Sequence, residues 1–217
     1  MPNWCATNYC LKGDMDELTR FADMLNSMPI IENGFGRYWV GNMLVALGLD
    51  PKDAGYRATL DPDPEARAFF DGPCVDEERS FSVDDDGTMR FSIISAWDRC
   101  PDVEEIILDR FPSFEFFWKS TDEFGNFHLV HDPDDICRFE RYGLKNGGHV
   151  ESYGKNEFGM FREGLIKACP SLDIPADASR EYLASEEFMN RFMDWIYGLE
   201  EGGTEIDTDF WIWDEAD

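Results

Sequence analysis

The amino-acid sequence predicts an α+β protein, and two kinds of pattern lead to that class. Runs rich in aromatic and β-branched residues, typical of strands, alternate with stretches in which apolar residues recur every three or four positions, typical of helices. Of the 217 residues, 43% are hydrophobic and 15% are aromatic, which is enough for a packed core. Folding at this length removes about 70% of the accessible surface of the unfolded chain. We therefore expect an ordered protein in spite of its high charge.

The first predicted elements are a strand and a helix. The strand covers Trp4 to Leu11 and ends at Lys12-Gly13. Asp14 is a favourable N-cap with Glu17 three residues later, which predicts a helix to about Met28. Its buried face should contain the apolar residues at helical spacing, namely Leu18, Phe21, Ala22 and Leu25.

An insertion is predicted at about 29–79, after the first helix. It contains a short apolar helix over Tyr38 to Leu47, which Gly48 ends, and a candidate strand over Tyr56 to Leu60. From 61 to 79 prolines and glycines interrupt regular structure, and acidic residues are frequent. This acidic segment is expected to lie on the surface.

A hairpin is predicted next. Asp84-Asp85-Asp86-Gly87 is a turn sequence that joins a strand over Ser80 to Val83 with a longer strand over Thr88 to Ala96. The acidic residues of this turn are therefore expected at the tip of the hairpin.

A helix and two strands complete the first part. Pro101 begins an amphipathic helix whose apolar stripe includes Val103 and Ile107. Phe114 to Ser120 is the next strand, and Phe127 to Val130 returns the chain. The order β-α-β-β-α-β is that of a ferredoxin-like sandwich, in which helices cover one face of an antiparallel sheet.

The remaining residues, 143–217, are predicted to form a mainly helical, acidic C-terminal extension of the core at 1–142. Its helices cover Phe158 to Cys169 and Glu181 to Leu199. Residues 200–217 contain acidic residues and no basic residue, together with Phe210-Trp211-Ile212-Trp213. Because a solvated tail would not favour these aromatic residues, we expect Trp211 and Trp213 to pack on the core, so that the chain forms one body.

Several motifs of the first part resemble those of a known family. They are Met1-Pro2-Asn3-Trp4-Cys5 with Asn8, Phe91 to Trp97 with Cys100-Pro101, Arg110 to Phe116, Glu123 to Asn126, and Asp132-Pro133. Together they resemble the YubB-type ferredoxin-like family, over about residues 1–142. The resemblance implies a ferredoxin-like fold and an origin in a phage, plasmid or conjugative element. It implies no catalytic residues.

The charge restricts the choice of partners. Acidic residues number 46 and basic residues 19, for a formal charge of −27. Nucleic acid and anionic membranes would both repel such a protein, so neither is expected as a direct partner. No run approaches the about 18 apolar residues of a membrane helix, and the first residues do not form a signal peptide. The sequence therefore predicts a cytoplasmic protein.

The leading hypothesis is a non-enzymatic protein of a mobile element that binds a basic partner through carboxylates. In one form of this hypothesis it mimics nucleic acid and inhibits a host defence nuclease. The alternatives left open are a generic acidic adaptor or a homodimer without mimicry, and a metal-dependent enzyme. The candidate partner-binding residues are Asp76, Glu77, Glu78, Asp84, Asp85, Asp86, Glu200, Glu201, Glu205, Asp207 and Asp209.

The cysteines and histidines predict no cofactor. Six cysteines without a C-x-x-C pair are expected to be reduced, buried thiols. His128, His131 and Cys137 have the residue types of a zinc site, but histidines three positions apart on a continuing strand point to opposite faces. No phosphate-loop, dinucleotide-binding or hydrolase motif is present. No catalytic residue is predicted.

Overall fold

The computed structural model describes residues 3–32, 36–53, 58–63, 80–123, 127–201 and 207–216. The chain forms two compact units, the first comprising residues 1–137 with 216–217 and the second residues 138–215. The boundary predicted from the sequence lies between 142 and 143. The expectation that the C-terminal part packs on the core to give one body stays a prediction.

The first unit contains the strands and helices that the sequence indicated, except that Ser80 to Val83 forms no strand and the second strand of the sheet, at 58–61, falls within the predicted insertion. In chain order they are β1 (Trp4–Lys12), α1 (Met15–Asn26), α2 (Val40–Ala46), β2 (Ala58–Asp61), β3 (Thr88–Ala96), α3 (Pro101–Arg110), β4 (Glu115–Asp122) and β5 (His128–His131). Within this unit the strands lie in the order β2-β3-β1-β4-β5, and every neighbouring pair is antiparallel. The α+β class is therefore confirmed.

Helix α1 begins at the predicted cap. The Asp14 carboxylate accepts hydrogen bonds from the backbone N–H groups of Asp16 at 3.0 Å and Glu17 at 3.2 Å. These bonds satisfy two of the amide groups that a helix leaves unpaired at its start. The predicted apolar face is buried, and its members are Leu18, Phe21, Ala22 and Leu25.

The main core lies between the helices and one face of the sheet. Tyr9 and Leu11 of β1 point to this face, and Phe91 stands opposite Tyr9 on β3. Phe21 of α1 packs against Phe111, with ring centroids 5.0 Å apart. Each such side chain contributes about 1.5–3 kcal/mol when it is fully buried.

A disulfide joins Cys10 to Cys137, which shows that the prediction of six reduced thiols is wrong for this pair. Cys10 points to the sheet face opposite Tyr9, since neighbouring residues of a strand alternate between faces. The Asp132 carboxylate holds the Cys137 segment, because it accepts hydrogen bonds from Ile136 N–H at 2.7 Å and from Cys137 N–H at 3.0 Å. The two cysteines are 127 positions apart, so their spacing in sequence contains no sign of the contact. Cys5, Cys100 and Cys169 are free thiols, and Cys74 lies outside the described residues.

The second unit contains the helices that were expected and a small sheet that was not. Its elements are β6 (Tyr142–Asn146), β7 (His149–Tyr153), α4 (Phe158–Ala168), α5 (Arg180–Leu183), α6 (Glu186–Glu201), β8 (Thr208–Ile212) and β9 (Asp214–Glu215). β6 lies between β7 and β8 and is antiparallel to both. The predicted helix over Glu181 to Leu199 is divided into α5 and α6, because the Ser185 hydroxyl accepts a hydrogen bond from Phe188 N–H at 3.2 Å and so begins a new helix.

The core of the second unit is aromatic. Phe161 of α4 stacks on Tyr142, with centroids 5.2 Å apart, and Phe192 of α6 meets the edge of Phe210 at 4.9 Å. Trp211 and Trp213 were expected to pack on the core of residues 1–142. Both belong to the second unit, and Trp213 is buried. Trp211 lies directly over Gly143, where a Cβ atom would stand 1.9 Å from the indole ring. In the described part of the chain, no helix has both the length and the apolar composition needed to cross a membrane.

Candidate functional site

Three of the candidate acids form the tip of a hairpin in the first unit, as predicted. Asp84 N–H donates to the Thr88 carbonyl at 2.7 Å, and Gly87 N–H donates to the Asp84 carbonyl at 3.0 Å. Gly87 has a φ of +76°, a conformation that glycine adopts without strain. Val83 forms a bridge with Met89 rather than part of a longer strand, so the strand predicted over Ser80 to Val83 is reduced to one bridging residue.

The acids of the hairpin tip are ordered by internal contacts. Arg90 pairs with Asp84 at 2.7 Å and with Asp86 at 2.9 Å. The Thr88 hydroxyl donates to Asp86 at 2.6 Å, and this bond, followed by the one from Arg90, lowers the pKa of Asp86 from 3.8 to about 2. Asp85 is exposed. The tip therefore presents three carboxylates against one guanidinium, in a fixed arrangement.

The other candidate acids that the structure describes lie in the second unit. Glu200 and Glu201 are exposed in the last turn of α6, where no basic residue balances them and the helix dipole disfavours negative charge. Asp209 of β8 is exposed and stands opposite Lys145 in the strand register.

Asp207 contacts the ammonium group of Lys145, which lowers the pKa of this carboxyl group. Asp76, Glu77, Glu78 and Glu205 lie outside the described residues. The described acids are thus divided between the two units, and Asp207, like Asp84 and Asp86, is already paired with a basic side chain.

The zinc alternative is overturned by the position of its ligands. The Cys137 sulfur is bonded to Cys10, so it is not available as a thiolate. Strand β5 continues to His131, and the two histidines therefore lie on opposite faces. His131 stacks on Trp118 with centroids 5.8 Å apart, whereas His128 contacts the Thr121 hydroxyl at 3.2 Å. Among the residues that the structure describes, no group of three His, Cys, Asp or Glu side chains is arranged to hold a metal ion.

The free thiols are poor nucleophiles. Burial raises the pKa of Cys5, and it raises the pKa of Cys100 and of Cys169 to about 11. Cys5 contacts the Ser120 hydroxyl at 3.1 Å inside the sheet. Because the thiolate is the reactive form, none of these three cysteines is suited to catalysis at neutral pH.

A buried polar cluster links the sheet to α3, and sequence reasoning missed it. The Tyr9 hydroxyl donates to the Glu104 carboxylate at 2.9 Å and to the Arg99 carbonyl at 3.1 Å. Arg99 pairs with Glu104, and its guanidinium lies 4.2 Å from the centre of the Trp118 ring. Burial raises the pKa of Tyr9. It also raises the pKa of Glu104, although the positive charge of Arg99 acts in the opposite direction. The cluster is largely buried and its members satisfy one another's hydrogen bonds, which fits a structural role.

A groove in the second unit was also missed. It has a volume of about 710 Å³ and lies where β7 and the end of β6 meet α4. Its lining includes the carboxylates of Glu151, Glu157 and Glu163, with Lys167 and His149 as the basic side chains. The Glu151 carboxylate accepts a hydrogen bond from the Tyr153 hydroxyl; burial, followed by this bond, raises the pKa of Tyr153 to about 12.

The signal that could have revealed the groove is Asn146-Gly147-Gly148-His149. Two glycines between short strand-forming segments are typical of a two-residue hairpin loop. Recognition of that hairpin would have placed the alternate residues His149 and Glu151 on one face of a strand. The packing of α4 against that face still depends on contacts that the sequence pattern does not contain.

Compared with protein-family models, with curated proteins and with solved structures, the chain has no match in any of the three.

Proposed function

We propose that this chain is a non-enzymatic, acidic protein of a mobile genetic element that binds a basic partner through exposed carboxylates. In the form that we favour, the carboxylates take the place of nucleic-acid phosphates and block a basic cleft of a host defence nuclease. The partner is a protein, since nucleic acid would be repelled by the charge of −27.

The observation that carries the proposal is that basic side chains are paired inside the protein, whereas many acidic side chains are exposed. Five of the described arginines pair with carboxylates inside their own unit, namely Arg20, Arg90, Arg99, Arg141 and Arg180. Arg162 and Arg191 donate to the backbone carbonyls of Ala178 and Leu172. Several of the basic side chains are thus held by contacts inside the protein, while many acids remain exposed. A field of one sign steers an oppositely charged partner into contact.

The hairpin tip supports the mimicry form. Rigid carboxylates lose little side-chain entropy when a partner binds, whereas carboxylates on mobile loops would lose more. Arg90 and Thr88 hold Asp84 and Asp86 in one arrangement, and the low pKa of Asp86 keeps it ionised at neutral pH. Asp85, exposed between them, adds a third carboxylate at the turn.

The mobile-element setting rests on the resemblance of residues 1–142. The strand order β2-β3-β1-β4, with β1 between β3 and β4, supports a ferredoxin-like core, because that fold places its four strands in this order. The α+β class and the antiparallel pairing agree with the same assignment. β5 and the second unit are additions to that plan.

The test is a pull-down with the full chain from a host-type lysate at low and at high salt, with mass spectrometry of the bound proteins. We expect a nucleic-acid-binding protein that is released by salt and displaced by duplex DNA. Partner affinity should then fall, with a shallower salt dependence, when Asp84, Asp85 and Asp86 are changed to Asn. A second variant combines Glu200→Gln, Glu201→Gln and Asp209→Asn.

The matched control removes the same number of charges elsewhere on the first unit. Asp23 of α1 and Glu105 and Asp109 of α3 are exposed, so their neutral variants alter net charge without touching the hairpin tip. If the effect of this control equals that of the hairpin-tip variant, the interaction is diffuse and the mimicry form is wrong. Unchanged binding after both acidic groups are neutralised would contradict the electrostatic proposal as a whole.

A further inference from the structure

We propose that the outer edge of β7, with the groove beside it, binds an extended basic segment of a partner protein as an added strand. The inference rests on the proposed function, since it assumes a basic partner, and it names the kind of segment and the place of binding. Addition of a strand to an exposed sheet edge is a recurring mode of peptide recognition, in which main-chain hydrogen bonds supply affinity and side-chain pockets supply specificity.

The register of the hairpin shows which backbone groups face outward. Asn146 pairs with His149 across Gly147-Gly148, and both glycines have positive φ, of 59° and 76°. The residues that close a two-residue loop of this kind exchange hydrogen bonds, and along an antiparallel pair such residues alternate with those whose backbone groups point away. The N–H and C=O groups of Val150 and Ser152 therefore point to the outer edge.

That edge is open to solvent. Within the described ranges β7 is bonded to β6 and to no second strand. Its residues His149 to Ser152 are all exposed, and Val150 has 44% of its surface accessible. Natural edge strands are commonly protected by proline, by a bulge or by several charges. β7 contains no proline and a single acidic residue, Glu151.

The groove selects the charge of the added strand. Alternate side chains of a strand on this edge would point to the same face as Glu151, which is the face that α4 covers. There they meet three carboxylates against the single ammonium group of Lys167, so lysine or arginine at alternate positions is favoured. Met160 of α4, 60% exposed, offers an apolar surface for the methylene stems of such side chains.

A glycine on α4 brings the helix close to β7 and shapes the groove. A Cβ atom at Gly164 would lie 2.9 Å from the Tyr153 hydroxyl and 3.2 Å from Leu144, so a larger residue would push the helix from the sheet. The carboxylate of Glu157 is held at the mouth of the groove by a hydrogen bond from Gly154 N–H at 2.6 Å. The acidic wall of the groove is therefore anchored to the elements that form it.

The probe is a short synthetic peptide in which lysine alternates with threonine, and the control peptide has glutamate in place of each lysine. Each is titrated into the full, isotope-labelled chain and followed by NMR. We expect the basic peptide to bind and the acidic one not to bind. Strand addition should also slow hydrogen exchange of the Val150 and Ser152 amides, an effect that a purely electrostatic association would not produce.

Two variants test the edge and the groove separately. Val150→Pro removes an outward N–H group while leaving the bonds to β6, and should weaken peptide binding about fivefold, as the loss of one hydrogen bond does. Val150→Thr is its matched control. Glu163→Gln should weaken binding about threefold, the effect of one exposed ion pair, and reduce its salt dependence. Glu105→Gln, on α3 of the first unit, should change neither the affinity for the peptide nor its salt dependence.

The outcomes separate this inference from the proposed function. If Val150→Pro does not fold, amide exchange in the unaltered chain and the Glu163→Gln variant still decide the question. Unchanged exchange at Val150 and Ser152, or full affinity in Glu163→Gln, would overturn the β7 site. Retention of a basic partner that depends on the hairpin tip would then leave the proposed function standing. If neither the basic peptide nor any basic partner binds, both proposals are wrong.

Discussion

Removal of the Cys10–Cys137 disulfide is expected to destabilise the first unit substantially. The bond closes a loop between residues 127 positions apart. In the chain-entropy model a cross-link of this span removes unfolded-state entropy worth about 5 kcal/mol at 25 °C, and measured values for native disulfides are about 2–5 kcal/mol. Both cysteines are buried, so alanine at these positions adds a smaller cost for lost packing.

The assay compares urea unfolding of oxidised wild type with that of the Cys10→Ala/Cys137→Ala variant. Hydrogen exchange with peptide-level mass spectrometry shows which unit loses protection, and we expect the loss in peptides of residues 3–137. Cys5→Ala is the matched control, since Cys5 lies on the same strand, is buried and is a free thiol. With reductant present, wild type should approach the stability of the double variant.

Two results would refute this reasoning. The first is a free energy of unfolding for the double variant within about 1 kcal/mol of that for Cys5→Ala, because the cross-link would then contribute less than the low end of its expected range. The second is a non-reducing peptide map in which Cys10 and Cys137 are not linked. Disulfides are typical of oxidising compartments, so the same map on protein taken from its natural host would show whether the bond forms there.

Three further predictions concern single positions. Thr88→Val should raise the pKa of Asp86 from about 2 toward the ordinary 3.8, whereas Thr88→Ser should not, as measured by NMR titration. Since the folded pKa lies below the ordinary one, the stabilising contribution of Asp86 is present above pH 3.8 and is lost as the pH falls toward about 2. Gly143→Ala should destabilise the second unit by about 1–3 kcal/mol or more, because its Cβ would overlap the Trp211 ring. A Cβ atom at Gly159 of α4 would have no neighbour within 4 Å. Gly159→Ala should therefore stabilise the unit by up to about 1 kcal/mol in thermal unfolding. Equal effects of the two glycine variants would contradict the packing argument.

The elements that could be predicted are those with a local signal. Asp14 predicts the start of α1, because its carboxylate accepts hydrogen bonds from backbone amides only two and three residues away. Asp84 to Gly87 predicts a turn for the same reason. In the second unit the Gly147-Gly148 loop is a local signal for the β6–β7 hairpin, but the third strand has none, because β8 stands far along the chain. Gly143 makes the strand pattern of β6 weaker in the sequence. The structure requires a glycine there, because the ring of Trp211 leaves no room for a Cβ atom.

The candidate site was predictable in composition but not in geometry. Acidic residues at the hairpin tip could be named from the sequence, yet the sequence did not show that Arg90 would hold two of them. It placed Asp207 and Asp209 together, although Asp207 is occupied by Lys145 and Asp209 stands exposed on β8. Only the hairpin beside the groove has a signal in the sequence, because the two walls of the groove meet only when α4 packs on that hairpin.

The sequence by itself determined the net charge, the α+β class and the elements whose caps, turns and apolar periodicity lie within a few residues of one another. Tertiary structure alone decided that Cys10 meets Cys137, that Tyr9 joins Glu104 and Arg99, and that an acidic groove opens beside an unprotected strand edge. The physical reason is the range of the interactions. A cap or a turn is stabilised by neighbours in the chain, whereas a disulfide or a groove requires distant segments to be brought together, and the packing of the whole core provides the free energy for that.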